Sequence, residues 1–230
     1  RILSHVDAFA GIGQKAVRDF KERFPDKPVF SLPYYCDLAP FRAEPPPERP
    51  RAPIRLLFCG QMIHRKGFDL LVEAFRQLIE EGLDLELALV GREDPFAHCL
   101  DRLPERVQKR IHNHGFQQPD TLPTFFREAD VFILPSRYDG WGVVVNQAVG
   151  AGLPAFCSDA VGAAHELVEP GSNGEIFQAN SSNALVCAIR PYLKNRTLIN
   201  KAATASWEKG KNWTIKAGEA QWVKILKKIL

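Results

Sequence analysis

Four apolar runs constrain the fold more than any other feature of this chain. They are Ile54-Arg-Leu-Leu-Phe-Cys59, Leu85 to Val90, Val131-Phe-Ile-Leu134 and Ala155-Phe-Cys157. Each is too short for a helix, and the first three stop at Gly60, Gly91 and Pro135. Between the first two, Leu70, Leu71, Ala74, Phe75, Leu78 and Ile79 form the stripe of an amphipathic helix over 67–81. Helical patterns also precede Val131 and follow Val143, Gly174-Glu-Ile-Phe177 is the last strand candidate, and two or three helices fill residues 183–230. Apolar strands alternating with helices predict an α/β, Rossmann-like fold, a mostly parallel sheet with helices on both faces. Ligands of such sheets bind outside the carboxyl ends of the strands. Gly60, Gly91 and Gly140 therefore fall on the functional rim.

With 230 residues, 45% of them hydrophobic, the chain can bury an ample core without disulfides or structural metals. Its five cysteines are odd in number and never spaced CxxC, so they read as small core hydrophobes of a reducing compartment. A formal charge of +3 does not argue for nucleic acid. The basic end, Leu226-Lys-Lys-Ile-Leu230, reads as a solvated face, with membrane contact as the alternative. No run of 18 apolar residues suggests a membrane span. Ala16, Val17, Phe20 and Phe24 give a helical pattern up to about Phe24, followed by an apolar run from Val29 to Leu32. Residues 39–53 hold six prolines among Arg and Glu and read as a linker. The first residue is Arg1 and the sole methionine is Met62, so a piece of a longer protein is expected.

Three segments could carry chemistry. Gly60-Gln-Met-Ile-His-Arg-Lys-Gly67 joins a strand to a helix and places Arg65 and Lys66 just before the positive helix end. Cations there disfavour the helix unless an anion is shared between them and the dipole; a basic solvated loop is the other reading. In Asp139-Gly-Trp-Gly-Val143, Gly140 and Gly142 bracket Trp141 and leave free N–H groups at a second helix start. Asp139 could cap that helix, and Gln147, a turn into it, could be a surface glutamine. His114-Gly-Phe-Gln-Gln-Pro119 could hold a flat ring through Phe116 and its backbone, or be an ordinary loop. The histidines lack metal-ligand spacing, and neither a P-loop, a GxSxG elbow nor a GxGxxG fingerprint occurs.

The order of these segments is more specific than any of them. A loop ending Lys66-Gly67, a strand end Leu89-Val-Gly91, Ala129-Asp-Val-Phe-Ile-Leu-Pro-Ser136, Asp139-Gly-Trp-Gly142 and Ala151-Gly-Leu-Pro154 follow one another. Over roughly residues 54–193 this resembles the C-terminal, donor-binding domain of the family 4 retaining glycosyltransferases of GT-B fold. The resemblance implies that residues 1–38 are the tail of an N-terminal domain and 39–53 the interdomain linker. It makes 54–210 the donor domain and 211–230 a C-terminal helix packing toward the N-terminal domain.

The same resemblance implies metal-independent sugar transfer, with retention, from a UDP- or GDP-sugar to a hydroxyl of a glycan or glycolipid. The resemblance implies neither a cofactor nor a nucleic-acid partner. The expected location is cytoplasmic, with peripheral contact at the inner face of the membrane an option. Asp139 and Lys66 match the family's catalytic positions, facing the donor sugar and the diphosphate. Gly60, Gln61, Arg65, Phe116, Gln117, Gly140, Trp141, Gly142, Val143 and Gln147 complete the donor site: backbone at 140–143 meets sugar and phosphate, residues 116 and 117 the base, residue 147 the ribose. Three positions depart from the pattern. Asp139 and Gln147 stand where the family has glutamates, and Gln61 where it has an arginine. Replacing a charged acceptor by a neutral one at residue 147 costs about 1 kcal/mol. Arg65 could restore the charge missing at residue 61. The isolated chain is expected to bind donor without turning over. The rival readings are a degenerate binding domain, a nucleotide-sugar epimerase or phosphorylase, and a dehydrogenase without its glycine fingerprint.

Overall fold

The computed structural model describes residues 5–42, 52–93 and 95–229. In chain order these form β1 (Phe9–Gly11), α1 (Gly13–Arg23), β2 (Val29–Ser31), β3 (Ile54–Cys59), α2 (Phe68–Glu80) and β4 (Leu85–Val90). Next come α3 (Glu105–Gln108), β5 (Ile111–Asn113), α4 (Leu122–Glu128), β6 (Val131–Leu134), α5 (Val143–Gly150) and β7 (Ala155–Ser158). The chain ends with α6 (Ala164–Leu167), β8 (Gly174–Phe177), α7 (Ser182–Lys194), α8 (Arg196–Gly210) and α9 (Ile215–Ile229).

Every expected strand forms, and all pair in parallel in one six-stranded sheet of order β5-β4-β3-β6-β7-β8. The apolar runs of β6 and β7 are buried at every position, as strands covered on both faces must be. Leu57, Phe58, Leu87, Leu89, Phe132, Leu134 and Phe156 make the centre of the core. The chain leaves β3 toward β4 and β5 on one side, then returns through β6 to β7 and β8 on the other. The strand order therefore reverses between β3 and β6, and a crevice must open outside their carboxyl ends.

The N-terminal pattern is corrected in one respect. The helix is confined to Gly13–Arg23, and Phe9–Gly11 before it is a strand pairing in parallel with Val29–Ser31. Phe9 stacks on Phe20 and Phe24 of the helical pattern at 4.7 and 4.6 Å, so these aromatics pack against a strand. This small unit touches the larger one: the Gln14 N–H donates to Glu166 Oε1 at 2.7 Å, and Lys15 Nζ to the Asp159 carbonyl. The C-terminal helix returns to it, with Gln221 Nε2 donating to the Ser31 carbonyl and Tyr35 stacked on Trp213 at 5.1 Å. Ser181 caps α7 by accepting the Ala184 N–H.

The middle of the proline-rich segment lies outside the described residues. At its start, Phe41 is buried edge-on against Phe126 at 5.2 Å, and Leu38 packs where any side chain at Gly150 would intrude. Phe41 thus belongs to the core of the sheet domain. Phe41→Ala is expected to destabilise the chain by about 3–5 kcal/mol, the cost of emptying a buried aromatic site. Equilibrium urea unfolding measures this; an unchanged midpoint would mean that residue 41 is only connecting chain.

Candidate functional site

The crevice is built from two loops that the sequence keeps more than sixty residues apart. The first leaves β3 at Gly60, makes a 3₁₀ turn at His64–Lys66 and enters α2 through Gly67. Gly67 has φ +67°, and a Cβ there would meet the Pro135 carbonyl oxygen at 2.0 Å. Only glycine permits this approach of the β3–α2 loop to the end of β6. The second loop runs from Ser136 to Gly142, the N-cap of α5, which also has positive φ and no side chain to cap with.

Polar contacts tie the two loops together. Arg137 forks onto Asp69 at 2.6 and 2.7 Å and also donates to the His64 carbonyl at 2.8 Å. The Arg65 carbonyl accepts the Arg137 N–H, while Arg65 Nη1 donates to the Tyr138 carbonyl at 3.1 Å. Lys66 Nζ is paired with Asp139 Oδ2, both side chains largely shielded at 14% and 12% exposure. Asp139 therefore does not cap α5. Its backbone instead bonds with Ala160 and Gly162. The charge of Lys66 reaches Cys59, where burial pushes the thiol up to about 12 and the lysine opposes the shift.

The remaining expected residues fall into two groups. Gly140 and Val143 are exposed at the crevice, and Gly142 is buried behind them. The Trp141 side chain turns away from it: the indole is 4% exposed, donates to Asn146 Oδ1 at 2.8 Å and meets Tyr34 edge-on. Only the backbone of residue 141 is left for a ligand. Gln147, in the second turn of α5, is not the surface glutamine its helix position allowed. Its Oε1 is buried and has no hydrogen-bond partner, as does the hydroxyl of Ser136 at the end of β6.

Gly60, Gln61, Phe116 and Gln117 meet at a cleft of about 280 Å³ outside β3 and β4, completed by Cys59, Val90, Gly91, Arg92 and Leu122. Phe116 is 54% exposed, whereas the Gln117 amide donates back to the His114 carbonyl at 2.6 Å. Two functional candidates were missed in the sequence. Arg137 orders the crevice, and its only signal was a cation three residues beyond the end of a buried strand. Arg92 follows the rim glycine Gly91, and its guanidinium lies over the Phe116 ring at 5.0 Å. Among the described residues no helix is long and apolar enough to cross a membrane.

Comparison with known proteins places this geometry. The family model for glycosyl transferases group 1 matches residues 42–213. The lipopolysaccharide core biosynthesis mannosyltransferase LpsB of Rhizobium meliloti is 32% identical over 152 residues, 63% of this chain and 42% of that protein. A GDP-mannose-dependent phosphatidylinositol monomannoside mannosyltransferase of Corynebacterium glutamicum is 27% identical over 189 residues, 75% of this chain and 49% of its own length. The chain thus spans less than half of these curated relatives. Sucrose-phosphate synthase from Thermosynechococcus elongatus superposes with a TM-score of 0.82 at 22% identity, over 99% of this chain and 59% of that one. The pneumococcal O-GlcNAc transferase GtfA, solved with UDP and GlcNAc, gives 0.80 at 17% identity over 99% and 46%. These likenesses fix the fold as that of the GT-B Rossmann-like domains.

The tie between the loops has an electrostatic consequence. Burial pushes the Asp69 carboxyl up, but the Arg137 hydrogen bonds and charge outweigh it and hold the group below the usual carboxylate range. With the folded value depressed, this tie stabilises fully above the unfolded pKa of about 4 and is lost as pH falls through the lower folded value. Stability should therefore drop below about pH 4 in the natural chain, and this part of the pH dependence should flatten in Asp69→Asn. Melting temperatures from pH 2 to 7 test it; parallel curves for the two proteins would remove Asp69 from the account.

Proposed function

This chain belongs to the group 1 glycosyl transferases, and on that premise we propose that it is the nucleotide-sugar-binding half of an enzyme moving a sugar to an acceptor hydroxyl. Transfer is metal-independent and retains configuration, a reading supported by the resemblance at Asp139-Gly-Trp-Gly142. The acceptor is a glycan or glycolipid, in line with the lipopolysaccharide and phosphatidylinositol products in the names of two relatives. It is held between this domain and an N-terminal domain. The reaction belongs to the cytoplasm, at or near the inner face of the membrane.

Roles follow from position. The diphosphate lies between Lys66 and the start of α5, where an uncapped helix end offers backbone N–H groups. Arg65, already bonded to the Tyr138 carbonyl, orders the loop that carries Lys66 and adds positive potential. Asp139 faces the sugar hydroxyls, Gln147 the ribose, and the cleft at Gly60, Gln61, Phe116 and Gln117 the base. As the sugar leaves, charge develops on the diphosphate. Fixed donors aimed at that charge lower the barrier, because they need no reorganisation when it appears.

Gln147 carries this reading. A buried amide oxygen without a donor costs about 1–3 kcal/mol, and a chain keeps such a group where something else satisfies it. A ribose hydroxyl is a donor of the right kind, reached when the half-buried side chain turns its amide toward the crevice. The degenerate-domain alternative draws on Gln61 and Gln147 together, since both remove a charge that the family pattern carries.

Calorimetry on the 230-residue chain tests the proposal. A nucleoside diphosphate should bind saturably, and Lys66→Ala should weaken it by about 10- to 150-fold, the loss of a charged hydrogen bond. Gln147→Glu should tighten binding several-fold, about 1 kcal/mol. The isolated chain should show no sugar transfer. Failure of every nucleoside diphosphate to bind would favour the degenerate domain, and sugar transfer by the chain alone would contradict the division of labour.

A further inference from the structure

The cleft beside the crevice holds one cation, and the assigned roles leave it unused. Cys59, Gly60, Val90, Gly91, Phe116 and Leu122 supply apolar side chains or bare backbone to its walls. Gln117 spends its amide on the His114 carbonyl, and Gln61 carries no charge. Arg92 is different. Its backbone is fixed at the rim, its carbonyl accepting the Met62 N–H at 3.0 Å while the neighbouring Gly91 N–H donates to the Gly115 carbonyl at 2.9 Å. The adjacent carboxylate, Glu93, is taken by Asn113 Nδ2 at 2.5 Å. Among the described residues none pairs with the Arg92 guanidinium, which lies over the exposed ring of Phe116.

The attraction between the Arg92 cation and the Phe116 ring uses none of the guanidinium's N–H donors. They lie in its plane and stay available, and the ring beneath limits where that plane can turn. A flat base entering an otherwise apolar cleft therefore meets one fork of parallel donors. Guanine matches it, because O6 and N7 are adjacent acceptors. Adenine offers N7 beside an amino donor, and uracil has a single acceptor, O4, on the corresponding edge.

We propose that Arg92, held by Phe116, reads the guanine base, so that the donor is a GDP-sugar. This rests on the donor-site reading above and adds the identity of the nucleotide. A contact from Arg92 to the diphosphate is the competing geometry, and it differs in being blind to the base.

Titration calorimetry of the 230-residue chain with GDP, UDP and ADP, in the natural form and in Arg92→Ala and Arg92→Lys, separates the two. GDP should bind at least about tenfold tighter than UDP or ADP. Arg92→Ala should lose about 5- to 150-fold toward GDP alone, and Arg92→Lys less, since an ammonium can still reach O6 and N7 but without the planar fork. Unchanged melting temperatures of the variants show that each is folded; a variant that melts early is replaced by Arg92→Gln. Tighter binding of UDP or ADP would overturn the guanine assignment while leaving the donor site standing. So would equal losses for all three nucleotides in Arg92→Ala, or a GDP preference kept undiminished in Arg92→Ala. Absence of binding by all three to the natural chain is the separate failure of the donor site itself.

Discussion

The site depends on one bidentate contact, Arg137 on Asp69. Where strand order reverses, neighbouring strands send their loops apart, and nothing covalent crosses the gap between them. Without noncovalent contacts across that gap, the β3–α2 and β6–α5 loops would be held only by their own ends. Arg137 bridges them with a planar fork that fixes both distance and angle, and a third bond reaches the His64 carbonyl. The backbone bond from Arg137 to the Arg65 carbonyl sets the register. Gly67 is the steric condition for all of it, since any side chain there would strike Pro135. Given this tie, Lys66 and Asp139 have little freedom over where they meet.

Asp69 also resolves an electrostatic difficulty of the loop. Arg65 and Lys66 stand just before the positive end of α2, where cations are disfavoured. Asp69 lies in the first turn of α2, the position where a carboxylate is most useful, and it draws Arg137 rather than either loop cation. The local balance is therefore one acid and three bases before Asp139 is counted, a surplus suited to an anion. The orphaned oxygens of Ser136 and Gln147 lie in the same β6–α5 segment. Local violations of polar satisfaction concentrated at one end of a well-packed sheet are where function is expected to override stability.

Much of this was legible in the chain because the signals were local. Strands β3, β4, β6 and β7 are buried on two faces or nearly so, hence largely apolar runs, and the glycines that end β3 and β4 marked the rim. The features that were not legible are non-local. β1 is three residues long and is a strand only because Val29–Ser31 lies beside it. Phe41 sits among prolines whose composition suggests open chain, and its core role depends on Phe126, distant in sequence. Arg92 follows Gly91 with nothing in the local sequence to single it out, and only the fold brings Phe116 beneath it. Pairing of Lys66 with Asp139 was equally hidden, since each had been assigned to a separate part of a ligand.

That pairing bears on how a donor would be held. An ammonium has three N–H donors, so Lys66 can keep Asp139 on one and offer two to a diphosphate. If Asp139 instead turns to a sugar hydroxyl, Lys66 loses its counter-charge in a site where both side chains are mostly shielded from water. A shielded charge left alone is costly, whereas an arriving diphosphate restores the balance. Release of Asp139 toward the sugar and capture of the diphosphate by Lys66 are then coupled, and a ligand bringing only one of the two groups gains less. The aspartate sharpens the effect. One methylene shorter than the glutamate of the family pattern, it reaches the sugar only if its loop follows, and that loop is anchored next door by Arg137 on Asp69. The departure at residue 139 and the tie at residue 137 are thus parts of one constraint on how far that loop can move.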